Sequence, residues 1–124
     1  MYSVVDSRQT IYLGGIMGTL FLALSILFNG VANGMFKVAA EIQDYSARKV
    51  TFLGVGLLIG LANTLCYLKA LEKIDLGMAF PLFAGGSILV ISLISLLYFH
   101  EQLSVQKWIG MAVICVGLAI MWKS

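Results

Sequence analysis

The chain has 124 residues, of which 60% are hydrophobic and 11% charged. A soluble fold of this size could not hide so much apolar surface, so the composition points to an integral-membrane protein. The formal net charge of +2, with no basic cluster longer than two residues, argues against nucleic acid as a partner.

Residues 1–10 read as an N-terminal extension and residues 11–123 as a single transmembrane domain. The one basic residue of the extension, Arg8, lies close to Asp6, and the apolar run after it is too long for a signal peptide. That run is the first predicted span, about residues 11–36. No charged side chain occurs from Gln9 to Phe36, enough chain to cross a bilayer as a helix. Asn29 and Asn33 nevertheless lie inside it, and Lys37 follows. Spacings of four place all three on one helix face. An amide buried without a partner costs a few kcal/mol. The stripe therefore either bonds to neighbouring helices or lines a polar cleft for a ligand headgroup. In such a cleft amides would serve hydroxyls, and Lys37 would attract an anion as a point charge.

The second span, about residues 50–68, contains Asn63, which poses the same choice. The third, about residues 76–99, contains Pro81 and the Gly85-Gly86 pair. Proline removes a backbone donor and glycine eases bending, so an interruption is expected there, as a hinge or as a fixed bend. His100 and Glu101 follow at its end, as an interfacial pair or as a titratable gate at a pore mouth. The fourth span, about residues 106–122, is bracketed by Trp108 and Trp122, which suit the membrane interface. Cys66 and Cys115 read as buried small hydrophobes.

Every Asp, Glu, Lys and Arg falls outside these spans except Lys107, at the very start of the fourth, as hydrocarbon demands, because a charge at mid-bilayer costs at least ~2.5 kcal/mol. The short links imply antiparallel neighbours. Arg8, Lys69, Lys73 and Lys123 then share one side, and Lys37, Arg48, Lys49 and Lys107 the other. This balance leaves orientation open, and with it an antiparallel dimer of two oppositely inserted copies. Gly14 and Gly18, Gly30 and Gly34, and Gly56 and Gly60 are pairs at helix-contact spacing, within one chain or between chains. The sequence offers no metal cluster, phosphate loop or nucleophile with a base. Neither enzymatic activity nor a cofactor is expected.

The stretch "IDLGMAFPLFAGGSILVISLISLLYFHEQLSVQKWIGMAVICVGLAIM" resembles the third and fourth helices of the small multidrug resistance proteins and their EamA-like relatives in the drug/metabolite transporter superfamily. "ANGMFK" resembles that family's first-helix pattern, which ends in a characteristic lysine, here Lys37. The resemblance implies an all-α, four-helix inner-membrane protomer that dimerises with itself or a related chain. Its first three helices would enclose a substrate chamber. The fourth would make the dimer contact, with Gly110 and Gly117 on it. The third would bend at Gly85, Gly86 and Ser87, beside Pro81.

The departures from the pattern are informative. The drug exporters carry a glutamate eight residues before the lysine, and that position here is Asn29. An amide exchanges no proton near neutral pH. The tryptophan and tyrosine of the exporter site correspond to Phe83 and Phe80. Aromatic walls alone would offer a cation only roughly 0.5–2 kcal/mol. Small flippase subunits that move aminoarabinose-lipid are similar in lacking the glutamate, in an amide near Asn33, and in the His100-Glu101 pair. The implied function is transport or flipping of an amphipathic molecule such as a lipid-linked sugar, with membrane lipid as surroundings. Its headgroup would meet Asn29, Asn33, Lys37 and Asn63. The stripe would lack a carboxylate because an anionic headgroup would be repelled by one. A proton-coupled exporter of small organic cations, with coupling at His100 or Glu101, remains an alternative. So does a non-transporting or heteromeric membrane subunit.

Overall fold

The computed structural model describes the backbone of residues 4–123 and the side chains of residues 15–123. Four α-helices follow one another: α1 (Val4–Glu41), α2 (Ala47–Leu71), α3 (Leu76–Leu97) and α4 (Val105–Lys123). Each contains a stretch long and apolar enough to cross a membrane, beginning at Gly15 in α1. Hydrocarbon leaves every backbone polar group to be satisfied internally, and a helix does so within its own segment. Many large apolar side chains, Leu57, Leu58, Leu61 and Val113 among them, are exposed on the outside. That exterior suits lipid.

The helices outrun the apolar stretches at several ends. α1 continues to Glu41, so Lys37 sits on a helix rather than in a link. It also begins at Val4, within the expected extension. α3 stops at Leu97, two residues before the expected end. α3 continues as one helix through Pro81 and the Gly85-Gly86 pair. Proline forfeits one hydrogen bond there, and flanking helical bonds keep the segment in register.

Packing centres on α1, which contacts both α2 and α3, whereas α4 contacts only α3 among the described residues. Small residues set the spacing. A Cβ at Gly30 would lie 2.5 Å from Val90 Cγ1, and one at Gly56 would lie 2.8 Å from Phe36 Cε1. In α3 the two glycines face different neighbours. A Cβ at Gly85 would meet Leu118 of α4 at 2.7 Å, and one at Gly86 would meet Ile26 of α1 at 2.8 Å. Gly30 and Gly34 thus belong to a seam within the chain. Gly18 packs on Lys73 and Ile74, while its expected mate Gly14 lies outside the described side chains. Gly60, Gly110 and Gly117 face open space. Cys115 is exposed on α4 and Cys66 is half-buried, both unpaired, which corrects the expectation of two protein-buried thiols. Lipid accommodates a thiol as readily as a protein core does.

Gly30→Ala should destabilise the bundle by about 1–3 kcal/mol, because the β-branched Val90 has little freedom to move aside. Gly34→Ala meets Ile94 Cγ2 at 3.6 Å, an ordinary contact, and should be neutral or stabilising. Unfolding of the two variants in mixed detergent, followed by circular dichroism, checks the contrast.

Candidate functional site

The close approach of α1 and α3 leaves a cavity of about 300 Å³ at one end of their seam. It is lined by Gly30, Asn33, Gly34 and Lys37 from α1 and by Ile91, Ile94 and Ser95 from α3. Phe99 and Glu101 of the α3–α4 link complete it. The amide stripe is ordered internally. Asn33 Nδ2 donates to the Asn29 carbonyl at 2.8 Å and to Asn29 Oδ1 at 3.3 Å. Asn29 thereby steadies Asn33, whose side chain lines the cavity.

Lys37 does have carboxylate partners. Its Nζ lies 3.4 Å from Glu101 Oε1 and 3.6 Å from Glu41 Oε1. The stripe without a carboxylate is therefore corrected: Glu41 continues it one turn on along α1, and a second acid, Glu101, arrives from the α3–α4 link, far away in sequence. The backbone explains how. His100 is the one non-glycine residue with positive φ, 52°, among the described residues. This left-handed turn folds the link back, so that Glu101 N donates to the Ser95 carbonyl at 3.1 Å. The Ser95 hydroxyl then donates to Glu101 Oε2, leaving Oε1 for Lys37. That hydrogen bond first, and then the bond and charge of Lys37, hold the Glu101 carboxyl below its ordinary pKa.

A second, apolar groove of about 270 Å³ adjoins the cavity. Val31, Met35, Val38, Phe52 and Tyr98 line it, and it shares Gly34, Ile94 and Phe99 with the polar cavity. Polar and apolar space thus meet along one line of contact.

The remaining expected residues lie elsewhere. Phe83 stacks on Tyr67 of α2 with ring centroids 4.9 Å apart, and Phe80 is exposed on α3. Asn63 stands one turn before Tyr67, and Ser87 one turn after Phe83. In antiparallel helices those turns share a level. Asn63 Oδ1, Tyr67 OH and Ser87 Oγ are buried there without hydrogen-bond partners among the described residues. Pro81, Gly85 and Gly86 belong to the helix packing described above. Ser95 and Phe99 were not singled out from the sequence, where both read as ordinary members of an apolar span.

Two outcomes follow from the link. A left-handed conformation costs a non-glycine residue roughly 1–2 kcal/mol. His100→Gly should therefore raise the unfolding midpoint, and His100→Val should lower it. For Glu101, the carboxyl is more acidic in the folded chain than in the unfolded one. Its contribution to stability is complete above the unfolded pKa and is lost as pH falls through the depressed folded value. Carbon-13 NMR titration of the Glu101 carboxyl should show the low midpoint, and Lys37→Gln should move it upward.

Comparison with known proteins converges on the same architecture. The family model for the Small Multidrug Resistance protein matches residues 17–114. The uncharacterized protein y4nH of Sinorhizobium fredii is 33% identical over 72 residues, covering 55% of this chain and 62% of the relative. A protein of Aeromonas hydrophila named as a probable 4-amino-4-deoxy-L-arabinose-phosphoundecaprenol flippase subunit ArnE is 33% identical over 72 residues. That match covers 58% of this chain and 56% of the relative. Its namesake in Hamiltonella defensa is 28% identical over 108 residues, covering 85% of this chain and 96% of the relative. The chain thus spans under two thirds of the length of the first two relatives. No solved structure is significantly similar to it. With four spanning helices and a family match over most of its length, the chain belongs to the Small Multidrug Resistance protein family and is a multi-pass protein of the inner membrane.

Proposed function

We propose that the protein is a small transporter or flippase that moves an amphipathic substrate, such as a lipid-linked sugar, by alternating access in a dimer. The observation that carries this reading is the junction at Gly34, Ile94 and Phe99, where the polar cavity meets the apolar groove. An amphipathic molecule could place its headgroup against Asn33, Lys37, Ser95 and Glu101, with the first part of its tail along Val31, Met35 and Phe52. The flippase-subunit names of the Aeromonas and Hamiltonella relatives support the substrate class.

In this reading Lys37 attracts the anionic part of the headgroup and Asn33, steadied by Asn29, bonds its hydroxyls. Asn63, beside the Tyr67–Phe83 stack and with Phe80 nearby on α3, serves as a second station. A polar headgroup passing there would satisfy the unpartnered atoms of Asn63, Tyr67 and Ser87. Pro81 and the Gly85–Ser87 segment supply the flexibility for exchange between states. The partner is a second copy or a related four-helix chain. It would pack on α4, which buries none of its residues in the protomer and offers Gly110 and Gly117 to open space.

A proton-coupled exporter of organic cations would have to use His100 or Glu101. A carboxylate that exchanges a proton in each cycle works best with a pKa near the operating pH. Glu101 is shifted the other way, which counts against Glu101 as the coupling group.

Flipping of a fluorescent lipid-linked sugar in proteoliposomes tests the proposal. Lys37→Leu and Asn33→Leu should each lower the rate by about tenfold or more, the scale expected when a charge-assisted or buried polar contact is lost. Both variants should insert and retain their helical content. Wild-type rates in both would remove the headgroup assignment.

A further inference from the structure

The polar cavity and the apolar groove are two spaces with one common wall. That wall is made by Gly34, Ile94 and Phe99, which border both. The three differ in what they can do. Gly34 has no side chain, and a Cβ added there would meet Ile94 Cγ2 at 3.6 Å, so a methyl group would fill what the glycine leaves open. Ile94 is β-branched and lies within α3, where such a side chain keeps one preferred χ1 rotamer. Phe99 stands beyond the end of α3 at Leu97, and its ring is half-buried.

Only the Phe99 ring is free to change the wall. The backbone around it is tied on both sides. Phe99 N donates to the Ile94 carbonyl at 3.4 Å, and Glu101 N donates to the Ser95 carbonyl at 3.1 Å. A side chain moves between staggered rotamers without breaking either bond. In its present rotamer the ring meets Tyr98 edge to face, with centroids 5.0 Å apart and planes at 78°. That geometry is favourable for two aromatic quadrupoles. Tyr98 is itself exposed, so a single contact at the surface of the bundle holds the ring where it is.

An amphipathic molecule with its head in the cavity and its tail in the groove has to run through this wall. With the wall closed, each space admits only its own half of the molecule. Binding across both then includes the cost of moving the ring, and the apparent affinity falls with the fraction of molecules in which the ring stands aside.

We propose that Phe99 is the gate between the cavity and the groove, its ring closing the passage at Gly34 and Ile94 and swinging aside when one molecule occupies both spaces. The proposal rests on reading the two spaces as one amphiphile site, and it names the residue that decides whether they act as one.

Native mass spectrometry of the full-length protein released from dodecyl maltoside tests it. Farnesyl phosphate serves as a probe that spans both spaces, and farnesyl methyl ether as one that stays in the groove. Phe99→Leu should bind farnesyl phosphate roughly threefold or more tightly than the wild type, the scale of the aromatic contact that no longer has to break. It should bind the ether no more tightly. A residue that merely lined the site would act with the opposite sign, because a smaller side chain gives up contact with the ligand. Gly34→Ala, whose methyl narrows the passage without straining the fold, should weaken farnesyl phosphate by roughly tenfold. Fluorine NMR of 4-fluorophenylalanine at position 99, with no other change to the chain, should show the ring move with farnesyl phosphate and stay in place with the ether. Equal or weaker binding of farnesyl phosphate by Phe99→Leu would overturn the gate, as would a fluorine resonance that farnesyl phosphate leaves in place. Equal tightening of both probes would overturn it too, because the ring would then obstruct the groove rather than the wall. In each of these cases, loss of farnesyl phosphate binding in Lys37→Leu would leave the amphiphile site standing. No binding by the wild type, or binding that Lys37→Leu does not weaken, would overturn the amphiphile site and the gate with it.

Discussion

A methyl group at Gly30 would fall 2.5 Å from Val90 Cγ1, so α1 and α3 meet there almost backbone against side chain. The polar cavity depends on this approach. Two turns beyond Gly30 stands Lys37, and two helical turns beyond Val90 the chain leaves α3 toward Glu101. Because the seam is tight at Gly30, the side chains beyond it can meet across it, at 3.4 Å between Lys37 Nζ and Glu101 Oε1. A bulkier residue at Gly30 would push the helices apart at their closest point. The strain would reach the ion pair before it reached the outer faces, which have only lipid to press against.

The same seam explains why polar and apolar space adjoin. Gly34 lies one turn after Gly30 and leaves ordinary clearance to Ile94. There the seam opens, and the cavity and the groove share the gap. One side of the gap carries Asn33, Lys37 and Glu101. The other carries Val31, Met35 and Phe52 from α1 and α2. Successive residues on a helix point about 100° apart, so Asn33 and Lys37 can face one space while Val31, Met35 and Val38 face another.

Much of the architecture was legible in the sequence, because hydrocarbon imposes a rule that composition alone reveals. Charges leave the apolar spans, and each helix carries one such span. The amide stripe was legible for a similar reason, since spacings of four identify a helix face. The second carboxylate partner of Lys37 was not. Glu101 is distant in sequence, and its approach depends on a tertiary register set by Gly30 and Val90 and on a left-handed turn at His100. Neither has a local signature: His100 carries no glycine or asparagine to announce positive φ. Its neighbour's acidity and its own titratable ring suggested a gate, whereas its visible contribution is conformational. The neighbours of the α3 glycines were hidden as well. Proline and paired glycines permit a break but do not compel one, and in α3 the glycines are occupied by close contacts with Leu118 and Ile26.

Where the carboxylate stands decides what it can do. An acid at the position of Asn29 would lie two turns deeper than Lys37, about 12 Å along the helix. An acid there would carry its charge deep in the apolar span, where a charge is costly. Glu101 instead sits in the link at the end of α3, with a serine hydroxyl and a lysine on its two oxygens. Those partners lower its pKa and keep it charged. Replacing the deep position by an amide, while supplying an acid at the boundary, moves the charge out of the apolar span. A carboxyl with a lowered pKa stays charged where an ordinary one already would be. The deep amide, meanwhile, is neutral at every pH the membrane meets. It can accept a hydroxyl on one side and steady Asn33 on the other without adding a charge to the path.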